Sequence, residues 1–271
     1  MLHHIIQHTR NILSRAKVAI HSPYPYHRLR DLVISNLLFA LPIPVRKRIF
    51  NGQTHFCPVC ETPLRGFLVL HRPYNRWCPV CRTLQRHRLL YLFLNRYSFI
   101  TSETSQTVLH FAPEPGIACR LIQLSHVRYI TTDIEPSSIH VCSDIQHLSF
   151  PDNTYTLILC LHVLEHIPDD LRAMRELYRV LKPGGTAIVM VPITSSATVE
   201  DPTITDPVLR ERLFGQHDHV RRYGQDVVLR LSAAGFVVEQ VAVNDIVTDP
   251  AEITVMGLPE KETIFVCRKM V

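Results

Sequence analysis

The sequence predicts an α/β fold: a doubly wound sheet, mostly parallel with an antiparallel last strand, preceded by an N-terminal helical segment and a small cysteine-stapled ribbon. Two observations predict it. From about residue 105 short β-branched runs alternate with amphipathic stretches, the pattern of a parallel sheet covered on both faces. Upstream, Cys-Pro-Val-Cys occurs twice in a segment too short for its own core. The expected division is a basic helical segment at 1–50, the ribbon with a basic helix at 51–100, and the main domain at 101–271.

With 271 residues, 46% apolar and 20% charged, the chain is long enough for one α/β domain and a small appendage. Charge is divided unevenly: residues 1–100 hold 15 Lys/Arg against 2 Asp/Glu, a net +13, and residues 101–271 hold 14 against 22, a net −8. A basic front of this kind suits either a polyanionic partner or a plain solvated face. The apolar run Leu32 to Pro44 is shorter than the roughly 20 residues of a bilayer span and contains two prolines, which excludes a transmembrane helix. Followed by Arg46, Lys47 and Arg48, it reads as a packed helix or as a peripheral membrane contact. No secretory h-region is expected, so the protein is placed in the reducing cytoplasm, where paired cysteines favour metal.

Cys57 and Cys60, then Cys78 and Cys81, form two knuckles separated by 17 residues. Each knuckle turns two thiolates to one side, and together they supply the tetrahedral four-sulfur shell that Zn²⁺ prefers. Two disulfides or a redox pair are the alternatives. Such a zinc ion would be structural. Cys119, Cys142, Cys160 and Cys267 read as small core residues. The run after the second knuckle reads as a helix with Leu84, Leu90 and Leu94 on its apolar side. Arg82, Arg86 and Arg88 crowd its start, against the helix dipole, which points either to an anionic ligand or acidic neighbours, or to a solvated face.

In the main domain Thr107–Phe111, Val127–Asp133, Tyr155–His162 and Thr186–Ile193 are expected strands. Pro168-Asp-Asp-Leu171 opens a helix with Leu171, Met174, Leu177, Tyr178 and Leu181 on one face, stopped at Lys182-Pro-Gly-Gly185. Phe236–Val243 and Glu262–Arg268 are expected to pair antiparallel at the sheet edge.

The run SFPDNTYTLILCLHVLEHIPDDLRAMRELYRVLKPGG resembles the central signature of class I S-adenosylmethionine-dependent methyltransferases, particularly those of ubiquinone and menaquinone biosynthesis. With its flanking strands the resemblance covers roughly residues 105–270, and the double Cys-Pro-Val-Cys is similar to a bacterial subgroup with an attached zinc ribbon. It implies a Rossmann-like fold and S-adenosylmethionine as cofactor. Carried over by position, it implies a cofactor-binding set of Ala112, Glu114, Gly116, Asp133, Ile134, Asp144, Ile145, Leu161 and His162. Ala112-Pro-Glu-Pro-Gly116 departs from the family's three glycines, but two small residues still let backbone approach the methionine part. Asp133 ends the second strand, where a carboxylate accepts from ribose hydroxyls, with a surface-turn role as its alternative. Asp144 stands where the family binds the adenine amino group, with Ile145 packing on the ring, unless Asp144 is an N-cap. His162 falls at the carboxyl end of a strand, facing the methyl group or the methionine part, and Glu165 and His166 read as capping and orienting residues. Thr156, where the family has Asp, weakens a local hydrogen-bonding feature.

The rich connection from Glu200-Asp201 to Phe214-Gly-Gln-His217-Asp218-His219-Val-Arg221-Arg222-Tyr223-Gly224 is expected to roof the site. His217 or His219, oriented by Asp218 or Glu200, is the candidate base, and Arg221 or Tyr223 the candidate anchor for an anionic acceptor. A metal reading of His217, Asp218 and His219, or simple structural hydrogen bonding, are the alternatives. The functions that follow are methyl transfer to a hydroxyl or amine of an unidentified small or carrier-linked acceptor, a sugar or glycan precursor being one candidate, or methylation of RNA gripped by the ribbon, Arg82, Arg86 and Arg88. In the RNA reading Trp77 and Tyr74 are the ribbon's stacking aromatics. A non-catalytic adaptor of the same fold is the third.

Overall fold

A computed structural model of the protein describes residues 25–69, 75–101, 104–135 and 139–271; Tyr74 and the first 24 residues of the expected helical segment lie outside the described residues. It divides into two compact units, one running to Arg88 and taking in Thr254–Leu258, the other comprising Leu89–Ile253 and Pro259–Val271.

In the first unit, the run Leu32 to Pro44 is split between helix Pro25–Ala40 and helix Ile43–Phe50, whose first turn carries Pro44, where a missing amide donor costs nothing. Val33, Ile34, Leu37, Ile43, Val45 and Ile49 are exposed. No helix of the described residues is long and apolar enough to cross a membrane. Strands β1 (His55–Cys57) and β2 (Thr62–Leu64) form a hairpin around the first knuckle, and β3 (Leu68–Val69) and β4 (Arg76–Trp77) a second one leading into the next knuckle. The unit boundary falls within helix Gln85–Arg96.

The second unit is built on a seven-stranded sheet. Its strands are β5 (Gln106–Phe111), β6 (Val127–Asp133), β7 (Val141–Cys142), β8 (Tyr155–Leu161), β9 (Leu181–Met190), β13 (Val237–Ala242) and β14 (Thr263–Arg268). Their order is β13-β14-β9-β8-β5-β6-β7, with β14 antiparallel to both neighbours and every other neighbouring pair parallel. The last strand is antiparallel as expected, inserted between β13 and β9. Strand β8 is a nearly continuous apolar run, and Val108, Leu109, His110 and Phe111 of β5 are all buried, because both faces of these central strands are covered. Helix Asp170–Val180 buries Ala173, Met174, Leu177 and Val180 against the sheet, and Asp169 caps it by accepting from the Arg172 amide. Leu171 and Tyr178 are only partly buried.

The connection after β9 makes a three-stranded sheet of β10 (Ile193–Ser195), β11 (Val199–Glu200) and β12 (Arg221–Gly224), with β12 in the middle. Helix Pro207–Phe214 lies between β11 and β12, capped by Asp206 and ended by Gly215 at φ +91°, where a residue with Cβ would be strained. Of the four scattered cysteines, Cys160 and Cys267 are core residues. Cys119 and Cys142 are exposed, which corrects the expectation for those two: both lie where short elements meet solvent.

Candidate functional site

Strand order reverses between β5 and β8: from β5 the chain runs outward to β6 and β7, then returns to β8. In open α/β sheets a crevice forms at the carboxyl ends of the two strands flanking such a reversal. Each of these strands is followed by a non-glycine residue in the left-handed region, Ala112 at φ +45° after β5 and His162 at φ +53° after β8. Both turns are pinned by backbone bonds, Ala112 N donating to Thr132 O at 2.9 Å and His162 N to Met190 O at 2.8 Å. A left-handed non-glycine residue costs of order 1–2 kcal/mol, so the pinning holds a backbone that local preference disfavours.

The loop after β5 is organised by a residue the sequence reading passed over. His110 is completely buried, and its Nδ1 lies 2.8 Å from the Tyr129 hydroxyl and its Nε2 3.0 Å from Glu114 Oε2. Glu114, expected among the cofactor residues, therefore has its carboxylate tied to the strand beneath it. Burial, then the Glu114 charge, pushes the Tyr129 phenol far above its ordinary value, so it remains a donor. The sequence signal was a lone polar residue inside the apolar run Thr107–Phe111. Gly116 is buried in the first turn of helix Pro115–Leu121.

Asp133 closes β6, with Oδ1 accepting from the Glu135 amide at 3.3 Å. Ile134 is 67% exposed. Pairing of Asp133 with Cys142 and a bond from Ser143 N to Asp133 O at 2.9 Å bring the Asp144 segment beside it. Asp144 is only partly desolvated; its carboxyl accepts from the Gln146 amide at 2.8 Å and lies 3.8 Å from His147. Partial burial opposes ionisation, but these contacts outweigh it and hold the group below the usual carboxylate range. Ile145 is 4% exposed and belongs to the core cluster; Leu161, at the end of β8, is also 4% exposed. Thr156 does not weaken its surroundings: its Oγ1 accepts from Thr107 N at 2.9 Å and donates to Gln106 Oε1 at 2.8 Å, joining β8 to β5 at their starts.

Beyond β8 the chain delivers a cluster. His162 Nδ1 lies 3.2 Å from Glu165 Oε1, and the other oxygen of Glu165 is buried without a hydrogen-bond partner. His166 Nδ1 sits 3.3 Å from Asp218 Oδ2, and its ring meets the His219 ring edge to face at 4.7 Å. His219 is 8% exposed, with Nδ1 3.0 Å from the Phe214 carbonyl. Desolvation lowers the His219 pKa, so the ring is neutral; His166 is raised in spite of burial, by Asp218 and then Glu165. His217 is half-exposed, 3.8 Å from Asp218. His219 is thus the buried member of the pair and His217 the more exposed one. Glu165 and His166, expected only to cap and orient, are part of this cluster.

Two anion anchors proposed from sequence are otherwise engaged. Arg221, 3% exposed, donates to Glu200 Oε2 at 2.8 Å and to the Leu164, Ile167 and Pro168 carbonyls. Tyr223 donates to Asp170 Oδ2 at 2.6 Å, and Arg230 bridges Asp170 and Glu200. Glu200 accordingly orients arginines and not a histidine. The buried network binds β11 and β12 to the start of helix Asp170–Val180.

In the first unit, Sγ atoms of Cys57 and Cys81 are 3.6 Å apart and those of Cys60 and Cys78 3.8 Å. A tetrahedron with metal–sulfur bonds of about 2.3 Å has edges of about 3.8 Å, so the four thiols fit one zinc ion. The residue after each knuckle, Glu61 at φ +51° and Arg82 at φ +66°, adopts the same left-handed turn. Amides of Val80 and Cys81 point to Cys78 Sγ at 3.4 and 3.5 Å, easing thiolate charge. Arg88 is fully buried, donating to the Arg76, Thr83, Met256 and Gly257 carbonyls, and lies over the Phe67 ring at 4.0 Å; Arg82 stacks on Phe39 at 4.4 Å. Arg88 is thus unavailable to grip phosphate, because its whole guanidinium is spent on carbonyls.

The methyltransferase domain profile matches residues 82–241, more than half of the chain. The chain belongs to the methyltransferase domain family. The ubiquinone/menaquinone biosynthesis C-methyltransferase of Haemophilus ducreyi is 27% identical over 128 residues, covering 45% of this chain and 48% of the relative. A protein of Methanocaldococcus jannaschii is 49% identical over 51 residues, 19% of this chain and 22% of that one. The match thus spans at most about half the length of these curated relatives. Among solved structures, a complex of the Haloferax volcanii Trm112 methyltransferase activator with a methyltransferase is similar at 17% identity and a TM-score of 0.48, over 69% of this chain and 92% of that one. In this methyltransferase-domain protein the described sheet order and its antiparallel β14 are those of a Rossmann-like fold.

Proposed function

We propose that the protein is an S-adenosylmethionine-dependent methyltransferase acting on a hydroxyl or amine of a small or carrier-linked acceptor, a sugar or glycan precursor being one candidate, with one structural zinc ion on Cys57, Cys60, Cys78 and Cys81. The observation that carries the reading is the placement of Ala112, Asp133 and His162 at the carboxyl ends of β5, β6 and β8, on either side of the strand-order reversal.

In this reading Ala112, Glu114 and Gly116 present the loop to the methionine part, Asp133 and Ile134 hold the ribose, Asp144 and Ile145 the adenine, and Leu161 with His162 border the transferred methyl. Bound S-adenosylmethionine supplies a sulfonium methyl: the acceptor atom forms a bond to that carbon as the carbon–sulfur bond breaks and its electron pair returns to sulfur. The chain's own residues align the acceptor, exclude water and take its proton. His219, neutral and buried, His217 at the rim and His162 are the groups proposed to receive it. Arg88 does not support an RNA grip, since its guanidinium is spent on carbonyls of its own unit.

Purified protein incubated with methyl-labelled S-adenosylmethionine and fractionated cell extract tests the acceptor class. Label is expected in a small-molecule or carrier-linked fraction, and less of it with His219→Ala. Label confined to RNA, or to a quinone lipid as in the activity named for the Haemophilus relative, contradicts that class; full turnover by both His217→Ala and His219→Ala contradicts the base.

A further inference from the structure

We infer that Glu165, His166 and His219 form a second metal site, specific for a divalent first-row transition ion and distinct from the four cysteines. Their ligand-capable atoms all lie within 4.8 Å of one another, and among the described residues this is one of two groups that meet that condition, the cysteines being the other. Two histidines and one carboxylate are a recurring donor set for Fe²⁺, Mn²⁺, Co²⁺ and Zn²⁺ when open positions remain.

The surroundings are those of a prepared ligand set. A ligating imidazole ordinarily donates its second nitrogen's hydrogen to a carbonyl or carboxylate, which fixes the tautomer and turns the other lone pair to the ion. Both rings have such an oxygen at Nδ1: the Phe214 carbonyl at 3.0 Å for His219 and Asp218 Oδ2 at 3.3 Å for His166. Asp218 is itself steadied by Gln216 Nε2 at 2.9 Å. With Nδ1 so engaged, the nitrogen of each ring that an ion would take is Nε2. On Glu165, 1% exposed, Oε1 faces His162, while Oε2 is buried without a hydrogen-bond partner. An unpaired buried carboxylate oxygen is costly, and an ion removes that cost. The segments are also clamped together, Val220 N donating to the Glu165 carbonyl at 3.0 Å, so the donors come from two parts of the chain held in register. His166 is 30% exposed, which gives an ion a route in and an open face.

The chemical use of the site rests on the methyl-transfer reading; the binding does not. An ion held there would supply Lewis acidity and make an acceptor hydroxyl easier to deprotonate. Of the three groups proposed to take that proton, His219 would then be committed to the ion, leaving His217 at the rim and His162, whose Nε2 is buried without a hydrogen-bond partner and 3.9 Å from Glu262 Oε1.

The test uses the full chain with its cysteine site filled and its zinc content measured, titrated with Co²⁺ and followed by visible absorption. One further Co²⁺ per chain is expected, with weak d–d bands and no added sulfur-to-cobalt charge-transfer band, which separates it from exchange at the thiolates. Glu165→Gln and His219→Ala are each expected to weaken binding at least tenfold, and Asp218→Asn, which leaves the three ligands in place, about tenfold or more. No ion beyond the thiolate site at 1 mM Co²⁺, or binding unchanged in Glu165→Gln and His219→Ala, overturns the site. S-adenosylhomocysteine affinity, measured in parallel, keeps the two readings apart: retained affinity with no second ion sinks only the metal site, and a second ion without nucleoside binding sinks only the methyl-transfer reading.

Discussion

Single side chains in this protein are best understood by what burial obliges them to do. Tyr223 and Arg221 look, in sequence, like groups for an anionic ligand, yet both are buried, and a buried donor needs a fixed acceptor. Asp170 Oδ2, 2.6 Å from the Tyr223 hydroxyl, is that acceptor. Tyr223→Phe is therefore expected to destabilise the protein by about 1–3 kcal/mol in chemical denaturation, the cost of leaving a buried polar group short of a partner. Its S-adenosylhomocysteine affinity should stay within about twofold of the parent; a tenfold loss with unchanged stability would return Tyr223 to the ligand. His110 illustrates the opposite error. A histidine inside an apolar strand gave no spacing motif, so its tie to Glu114 was legible only as a polar interruption, and three-dimensional pairing with β6 was needed to supply Tyr129.

At the scale of elements, periodicity located the strands and the helix Asp170–Val180 because one residue in two or in three or four must face the sheet. Val127–Asp133 was legible to the residue and the other strands shifted by one residue at one end or both, except β9, which begins at Leu181, so that Leu181 and the expected stop at 182–185 lie in the strand and not on the helix. The connection after β9 was not legible as a three-stranded sheet: its strands are two to four residues long and pair across gaps of sequence that no local pattern records. The cluster of Glu165, His166 and His219 was hidden for the same reason, since His219 lies more than fifty positions from the adjacent Glu165 and His166. Helix Asp170–Val180 also carries a pH-sensitive tie. Glu176 accepts from Arg179 Nε at 2.7 Å and from the Leu148 amide at 2.8 Å, and Arg179 chiefly, against partial burial, lowers its pKa. A depressed carboxyl stabilises the fold above its unfolded pKa of about 4.3 and ceases to do so as pH falls through the folded value. The denaturation midpoint of the parent should thus fall more steeply than that of Glu176→Gln on going from pH 5 to pH 3; parallel curves would show that the tie contributes nothing.

For the molecule as a whole, the two units depend on different physics. The second has a continuous apolar core, running from Leu109 through Leu177 to Cys267, that no ligand is needed to complete. The first has two short hairpins, two buried arginines and four facing thiols, and in such a unit metal binding is folding energy. Zinc analysis should find one thiolate-bound ion per chain. Its removal by a strong chelator should open residues 51–88 to limited proteolysis while the second unit stays resistant; equal resistance with and without zinc would contradict a structural role.

The central claim is that the crevice at the ends of β5, β6 and β8 takes the nucleoside of S-adenosylmethionine, and calorimetry with S-adenosylhomocysteine tests it most directly. The account predicts saturable one-to-one binding that Asp133→Ala weakens at least tenfold, because the ribose hydroxyls lose a charged acceptor. No heat of binding at millimolar ligand, or an Asp133→Ala protein that binds as well as the parent, would contradict it.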